Sequence, residues 1–229
     1  MSANKPRALV VDDEPAVRRL LRVALESQGF AVFEAASGQD AVSGAAAHKP
    51  DLVILDLGLP DIDGVEVVRL LRQWSRIPII ILSVRGSEKD KIAALDAGAD
   101  DYLTKPFGMG ELIARLRAAL RRAAHPVAEP VFVAGDLKVD LTLRLVTVGG
   151  CEVQLTPNEY DILKILVLNA GKVLTHRQLL REVWGAEYGD ESHMLQVNIS
   201  NLRRKIEPEL GHRQFIVTEP GVGYRLRAD

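Results

Sequence analysis

The chain has little cysteine, no long apolar run and almost no net charge. Cys151 is its single cysteine among 229 residues, so an intramolecular disulfide and a cysteine-based zinc site are both excluded. No apolar run approaches the roughly 18 residues that a membrane-spanning helix needs. The first six residues lead into a strand rather than into the apolar region of a signal peptide. We therefore expect a soluble protein of a reducing compartment, the cytoplasm.

The composition is that of a globular protein and leaves its partners open. The formal net charge of −2 neither favours nor excludes nucleic-acid binding by the chain as a whole. Hydrophobic residues make up 47% and charged residues 26%, which is ordinary for a soluble protein. A chain of 229 residues has room for one large domain or two ordinary ones, each with a core.

The first half alternates short Val- and Ile-rich runs with helical periods. We predict strands at residues 8–11, 31–34, 51–55, 78–82 and 102–104, and helices at 16–28, 39–48, 65–74, 87–97 and 109–122. Repeats of this kind predict a flavodoxin-like α/β domain over residues 1–124. It contains a doubly wound, five-stranded parallel sheet with helices on both faces and right-handed crossovers.

The second half has a different pattern. Residues 125–130 contain two prolines and are predicted to be a linker. Beyond it, 131–153 favours an antiparallel meander with turns at Gly135-Asp136 and Gly149-Gly150. Thr156 and Thr175 are predicted N-caps of two helices, and a third helix is predicted at about 192–207. Strands at 214–218 and 224–227 complete an α+β domain over 131–229.

Polar residues follow the predicted parallel strands, where the carboxyl ends of strands meet and ligands bind. They are Asp12, Asp13, Asp56, Ser83 and Lys105. Asp13 and Asp56 are the predicted direct ligands of one Mg²⁺, with Asp12 acting through water and a main-chain carbonyl near Gly58. A carboxylate beside a metal can also accept a phosphoryl group, whose charge Lys105 and Ser83 could stabilise.

Two alternatives compete with this interpretation. Taken singly, an Asp or Ser after a strand is commonly a turn former or helix cap, and a lysine is commonly a surface residue. The agreement of all these positions argues against coincidence. The enzymatic alternative is an aspartyl-phosphate phosphatase or phosphotransferase similar to haloacid dehalogenases. Those enzymes place an acid/base Asp two residues after the nucleophile, where this chain has Gly58.

Three motifs carry a resemblance to the receiver domain of two-component response regulators. They are Asp12-Asp13-Glu14, the segment 55–64 (LDLGLPDIDG) and the segment 98–107 (GADDYLTKPF). The resemblance implies that Asp56 accepts a phosphoryl group from a sensor histidine kinase and that Lys105-Pro106 is a cis peptide. It also implies a switch pair in which Ser83 moves onto the phosphoryl group and Tyr102 turns inward. Otherwise Tyr102 is an ordinary half-buried strand aromatic.

Receivers that resemble the OmpR/PhoB class form a two-fold dimer through interchain ion pairs. The implied pairs here are Lys91 with Glu111, Asp100 with Arg115 and Asp101 with Arg122, around Ile92 and Leu95. The alternative is a solvated helix face whose intrachain pairs are each worth under about 1 kcal/mol. A two-fold interface would use each pair twice.

The helix predicted at 192–207 has many polar side chains, which suit phosphates and base edges in a major groove. They are His193, Gln196, Asn198, Ser200, Asn201, Arg203, Arg204 and Lys205, opposite an apolar stripe of Met194 or Leu195 with Ile199, Leu202 and Ile206. By itself this pattern is also typical of a solvated amphipathic helix.

The surrounding motifs resemble the winged-helix effector domain of the same family. They are Leu155–Tyr160, Arg177–Leu180 and Gly221–Arg225. The resemblance implies a recognition helix in the major groove, a wing at 218–223 from which Thr218 reaches a phosphate, and a loop at 184–191 that contacts RNA polymerase. Some members have an Arg in the wing where this chain has Glu219-Pro220. Asn201 stands where some place a base-reading Arg.

We therefore expect a transcriptional response regulator that is phosphorylated on Asp56, dimerises and binds promoter DNA. It would not be an enzyme beyond slow autodephosphorylation. The alternatives are the aspartyl-phosphate enzyme described above, OmpR/PhoB-class regulators with different sets of target genes, and a DNA-independent signalling adaptor.

Overall fold

A computed structural model describes residues 5–84, 87–124, 130–188, 192–207 and 214–227, with the side chains of Arg122 and Ala124 left out. Contacts divide the chain into residues 1–124 and residues 125–229. The predicted linker lies outside the described residues except for Pro130. Within the described ranges, no helix is long and apolar enough to cross a membrane.

The first unit is a parallel sheet with helices on both faces, as predicted. Its strands are β1 (Arg7–Val11), β2 (Ala31–Ala35), β3 (Leu52–Leu55), β4 (Ile79–Ser83) and β5 (Asp101–Thr104). Its helices are α1 (Pro15–Ser27), α2 (Gly38–His48), α3 (Gly64–Arg72), α4 (Glu88–Asp96) and α5 (Met109–Ala124). The five strands lie in the order β2-β1-β3-β4-β5 and all pair in parallel. The predicted bounds differ from these by one or two residues.

The apolar strands form this sheet because both of their faces are covered. Every residue of β3 and β4 is buried, which is typical of parallel strands packed between helix layers. The side chains of Ser37, Asp63 and Ser87 accept hydrogen bonds from the first turns of α2, α3 and α4. A Cβ at Gly64 would lie 2.6 Å from the Asp56 carbonyl oxygen, so α3 can begin against the loop after β3 only with glycine there.

The second unit combines an antiparallel meander, three helices and a small sheet. Its strands are β6 (Val131–Ala134), β7 (Leu137–Asp140), β8 (Leu145–Val148), β9 (Cys151–Glu152), β10 (Leu174–Thr175), β11 (Ile216–Glu219) and β12 (Gly223–Leu226). Its helices are α6 (Pro157–Leu168), α7 (His176–Trp184) and α8 (Ser192–Ile206). The meander has the order β6-β7-β8-β9, and the small sheet has the order β10-β12-β11. The predicted α+β architecture is confirmed.

Local signals explain where these helices begin. Thr156 with Glu159, and Thr175 with Gln178, form complete capping boxes at the starts of α6 and α7.

The two-residue strand β10 was not predicted. It pairs so closely with β12 that a Cβ at Gly223 would collide with the Leu174 carbonyl group. The loop predicted after Trp184 contains a 3₁₀ turn at Ala186–Tyr188.

Candidate functional sites: an acidic pocket and an exposed helix

The carboxyl ends of β1 and β3 bring three aspartates together. Carboxylate oxygens of Asp12, Asp13 and Asp56 all lie within 4.8 Å of one another. Asp12 and Asp56 are buried, whereas Asp13 is exposed. The neighbouring parallel strands fix this arrangement, since the Asp56 amide N–H donates to the Val11 carbonyl oxygen at 2.9 Å. Sequence and fold therefore agree on an acidic pocket at this edge of the sheet.

Lys105 bridges the two buried carboxylates. Its Nζ donates to Asp12 Oδ2 and to Asp56 Oδ2, each at 2.7 Å. Burial opposes the charge on Lys105, but hydrogen bonds and attraction to the two aspartates outweigh it and raise the pKa of Lys105. The ammonium group therefore stays protonated and partly neutralises the pocket. The Lys105-Pro106 peptide is cis, as the resemblance implied.

The main chain holds the other oxygen of each buried carboxylate. The Glu14 N–H donates to Asp12 Oδ1 at 2.9 Å, and the Gly58 N–H donates to Asp56 Oδ1 at 3.2 Å. Asp13 adds a carboxylate on the exposed side. This set of oxygen donors fits a hard divalent cation, which takes one or two carboxylates and keeps several waters.

The two predicted switch residues lie on adjacent strands. Ser83 is fully buried at the end of β4, and its carbonyl oxygen accepts from the Lys105 N–H at 3.0 Å. Tyr102 is 9% exposed on β5. Lys91 Nζ lies 5.8 Å from the centroid of its ring, a contact that the sequence did not predict.

The structure corrects part of the predicted dimer face. Leu95 and Asp100 are only 1% and 6% exposed, so neither side chain lies on the surface of the unit. The pair of Asp100 with Arg115 of a second chain stays a prediction, and within its own chain Asp100 has other partners. It accepts from Arg72 Nη2 and from the Ile79 N–H, both at 2.9 Å. The sequence did not predict the pair of Arg72 with Asp100, because the two residues are 28 positions apart and only the fold brings them together.

Arg115 instead pairs within its own chain. Its Nη1 donates to both carboxylate oxygens of buried Asp101, at 2.7 and 3.0 Å, and its Nη2 donates to Glu111 at 2.7 Å. These carboxylates outweigh the effect of burial and raise the pKa of Arg115. Glu111 is exposed and Lys91 and Ile92 are half-buried. The predicted partner of Asp101, Arg122, has its side chain outside the described residues.

Helix α8 presents a polar face as predicted, but not with every predicted residue. Its buried stripe consists of Leu195, Ile199, Leu202 and Ile206. Of the two residues predicted as alternatives, Leu195 rather than Met194 therefore belongs to the stripe. The exposed residues are Ser192, His193, Gln196, Val197, Ser200 and Arg204. Asn198 and Asn201 are half-buried. The Asn198 amide donates to the Met194 carbonyl oxygen at 2.9 Å, and Arg204 donates to Asn201.

Arg203 and Lys205 face the rest of the domain. Arg203 Nη2 donates to the Ile216 carbonyl oxygen and to Thr218 Oγ1, both at 2.8 Å. Lys205 Nζ donates to Glu159 Oε2 at 2.7 Å. Both cations are half-buried and already have partners in the domain, whereas Thr218 is exposed and its hydroxyl can still donate. Contacts of these three residues with DNA stay a prediction. From its spacing alone, the basic end of a helix does not reveal which cations hold the domain together.

The predicted wing lies between β11 and β12. Glu219, which stands where some family members have an Arg, accepts from Arg225 Nη2 at 2.6 Å and from its Nε at 3.1 Å. This ion pair joins the two strands across the hairpin. The departure from the family pattern therefore has a structural role within the wing.

Comparison with known proteins identifies one family. Residues 8–117 match the response regulator receiver domain, and residues 150–226 match the C-terminal domain of transcriptional regulatory proteins. The KDP operon transcriptional regulatory protein KdpE of Escherichia coli strain K12 is 55% identical over 219 residues, covering 95% of this chain and 97% of that protein. KdpE of Mycobacterium tuberculosis strain H37Rv is 49% identical over 222 residues, with coverage of 96% and 98%.

A solved structure also matches both halves of the chain. The response regulator DrrB, an OmpR/PhoB homologue from Thermotoga maritima, is 31% identical with a TM-score of 0.52. The match covers 98% of this chain and 100% of that one.

The chain belongs to the two-component response regulators that combine a receiver with an OmpR/PhoB-type DNA-binding domain. Within that family it is a KdpE-like regulator. Several segments of the sequence already resemble KdpE, and the identity along nearly the whole chain confirms this. They are residues 57–61, 72–75, 90–96, 107–108, 184–185 and 192–193. A regulator of this family works with a histidine kinase and binds DNA, which leaves the enzyme and adaptor alternatives unsupported.

Proposed function

We propose that this protein controls potassium-transport genes of the kdp type, in response to phosphorylation of Asp56 by a KdpD-like sensor histidine kinase. The phosphorylation step is supported mainly by the bridge from Lys105 to Asp12 and Asp56, at 2.7 Å each, beside the exposed Asp13. The choice of genes and kinase is supported by the 55% identity to the Escherichia coli KDP operon regulator.

In the proposed reaction, a carboxylate oxygen of Asp56 forms a bond to phosphorus as the P–N bond of the kinase's phosphohistidine breaks. One Mg²⁺ held by Asp12, Asp13, Asp56 and the Gly58 carbonyl would neutralise charge on the phosphoryl oxygens. Lys105, already protonated 2.7 Å from Asp56 Oδ2, supplies a second cation. The Gly58 N–H keeps Asp56 oriented through Oδ1.

The signal would leave the pocket through Ser83 and Tyr102. A new dianion at Asp56 attracts the Ser83 hydroxyl, and the space that this movement frees lets Tyr102 change its packing. Tyr102 lies beneath Lys91 of α4, so its movement would reach the surface of α4, β5 and α5. A homodimer there would exchange intrachain pairs of Arg115 with Asp101 and Glu111 for interchain ones, with Lys91, Ile92 and Arg122 also contributing.

The output would be promoter binding by α8. His193, Gln196, Ser200 and Arg204 are exposed and suit base edges and phosphates, with Asn198 and Asn201 beside them. The exposed Val197, which is not among the predicted DNA-binding residues, could contact a thymine methyl group. The loop at 184–191 would contact RNA polymerase.

We also propose that the pocket hydrolyses its own acyl phosphate only slowly. Position 58, where haloacid-dehalogenase-like enzymes place an acid/base Asp, is a glycine whose N–H binds Asp56. The phosphoryl group would therefore persist long enough to act as a signal.

The test is incubation with acetyl phosphate and Mg²⁺, with Asp56→Asn as the control variant. We expect the wild type to retain one phosphoryl group per chain and Asp56→Asn to retain none. Rapid release of phosphate over many turnovers would instead indicate an enzyme. Equal labelling of Asp56→Asn would show that another residue is the acceptor.

A further inference from the structure

An arginine of α1 reaches back to the loop that carries two of the pocket aspartates. Arg18 Nη1 donates to the Asp12 carbonyl oxygen at 2.6 Å and to the Asp13 carbonyl oxygen at 3.0 Å. Its side chain is only 15% exposed, although it belongs to a charged residue on an outer helix. One guanidinium nitrogen thus binds the main chain of both residues at the end of β1.

The same guanidinium is fixed from its other side. Arg18 Nε lies 3.5 Å from Glu34 Oε2 on the neighbouring strand β2, and Arg22 Nη1 lies 3.1 Å from the other Glu34 oxygen. Glu34 therefore orients Arg18 and offsets its charge. Without that carboxylate, a cation close to the pocket would oppose the binding of a second cation.

These contacts determine which atoms can move. The Asp12 carboxylate is held by Lys105 and by the Glu14 N–H. Within the part of the chain that the structure describes, no group donates a hydrogen bond to the Asp13 carboxylate. The direction in which Asp13 points therefore depends on its backbone, which Arg18 holds through the carbonyl oxygen. Outer partners of this kind commonly alter metal affinity by 10-fold or more when they are removed.

We propose that Arg18 is a positioning residue for divalent-cation binding, with Glu34 as its support. It acts by holding the backbone of Asp12 and Asp13 so that their carboxylates converge with that of Asp56. The inference rests on the Mg²⁺ pocket of the proposed function. It adds a residue of α1 that touches neither the cation nor the phosphoryl group.

The test is calorimetric titration of the full chain with Mg²⁺, comparing the wild type with Arg18→Met. Loss of positioning should weaken Mg²⁺ binding by about tenfold. A purely electrostatic effect has the opposite sign, because removing a nearby cation would tighten binding. The matched control is Arg22→Met, which removes another partner of Glu34 without touching the loop and should leave the affinity within about twofold.

Two further variants keep the inference testable. Arg18→Lys retains the charge and can bind a carbonyl oxygen, so its affinity should lie between those of the wild type and Arg18→Met. If Arg18→Met does not fold, as judged by circular dichroism, Arg18→Gln replaces it under the same criterion. Unchanged or tighter Mg²⁺ binding in the folded variant overturns the role of Arg18. Absence of Mg²⁺ binding in the wild type overturns the metal pocket itself, and the inference with it.

Discussion

At the scale of single residues, the pocket places like charges together and relies on one lysine to compensate them. Asp12 and Asp56 are 2% and 5% exposed, and Lys105 donates to both. Removing one partner of a buried ion pair is costly because an uncompensated charge remains. The same arrangement suits a pocket that binds and releases a divalent cation, because a bound cation can neutralise part of the carboxylate charge that Lys105 otherwise neutralises.

Replacing Lys105 should expose this balance. We expect Lys105→Met to lower the free energy of unfolding of the receiver by about 3 kcal/mol without Mg²⁺, because two buried carboxylates lose their shared cation. Added Mg²⁺ should restore more stability to the variant than to the wild type. Chemical denaturation with and without Mg²⁺ measures both effects. Lys89→Met, at an exposed position of α4, is the control and should behave as wild type.

Glu159 makes the second unit sensitive to acid. Burial opposes its charge, but hydrogen bonds from Lys205 and from the Thr156 N–H outweigh this and lower the pKa of Glu159 below its usual value of 4.5. A lowered folded-state pKa contributes stability that is present above pH 4.5 and lost as the pH falls through the folded-state value. We therefore expect the stability of Glu159→Gln to fall less than that of the wild type on acidification below that pH.

Thermal unfolding at a series of pH values tests this prediction. The variant should be less stable than the wild type at pH 7, and the difference should shrink towards low pH. Parallel curves for the two proteins would show that Glu159 does not contribute to the acid sensitivity.

At the scale of elements, α8 divides its basic residues between two tasks. Arg203 joins the helix to β11 through Ile216 and Thr218, whereas Arg204 is exposed one residue later. Arg203 also lies 5.7 Å from the ring centroid of Tyr224 on β12. The helix is thereby fixed to the wing hairpin while its outer face stays accessible.

Neighbouring substitutions separate these tasks. Arg204→Met should leave domain stability unchanged and weaken DNA binding. The slope of log K against log salt concentration should become shallower by about one, because one phosphate contact is lost. Arg203→Met should lower the free energy of unfolding by about 1–2 kcal/mol, because the buried main-chain acceptor on Ile216 loses its donor. DNA titrations at several salt concentrations, with denaturation curves, measure both. Identical behaviour of the two variants would contradict the division.

The sequence predicted elements and pocket residues well and side-chain partners poorly. Buried parallel strands are continuous apolar runs, so Asp12, Asp56 and Lys105 could be placed at their ends from the pattern alone. The sequence could not predict the contacts of Arg72 with Asp100 and of Arg18 with the Asp12 carbonyl group. These contacts depend on how far each side chain reaches after packing. Lys205 likewise looks solvent-facing in the sequence, but it pairs with a buried carboxylate.

At the scale of the whole molecule, residues 1–124 contain an acidic pocket and residues 125–229 contain a domain of the DNA-binding type, in which α8 is the proposed recognition helix. The dimer proposed for the first unit would place two α8 helices on one promoter, and two-fold symmetric dimers bind paired half-sites. Phosphorylation should therefore convert monomers into dimers and so raise the average molar mass of the species in solution. We expect sedimentation to show dimers after treatment with acetyl phosphate and Mg²⁺, and no such change for Asp56→Asn.

The central claim is that the state of Asp56 controls DNA occupancy. The most direct measurement is the affinity of the full chain for a kdp promoter fragment and for random DNA, with and without acetyl phosphate and Mg²⁺. We predict that phosphorylation tightens promoter binding by the wild type, leaves binding by Asp56→Asn unchanged, and hardly affects random DNA. Two results would contradict the account. One is promoter binding that is no tighter than binding to random DNA in either phosphorylation state, and the other is equal tightening of promoter binding in Asp56→Asn.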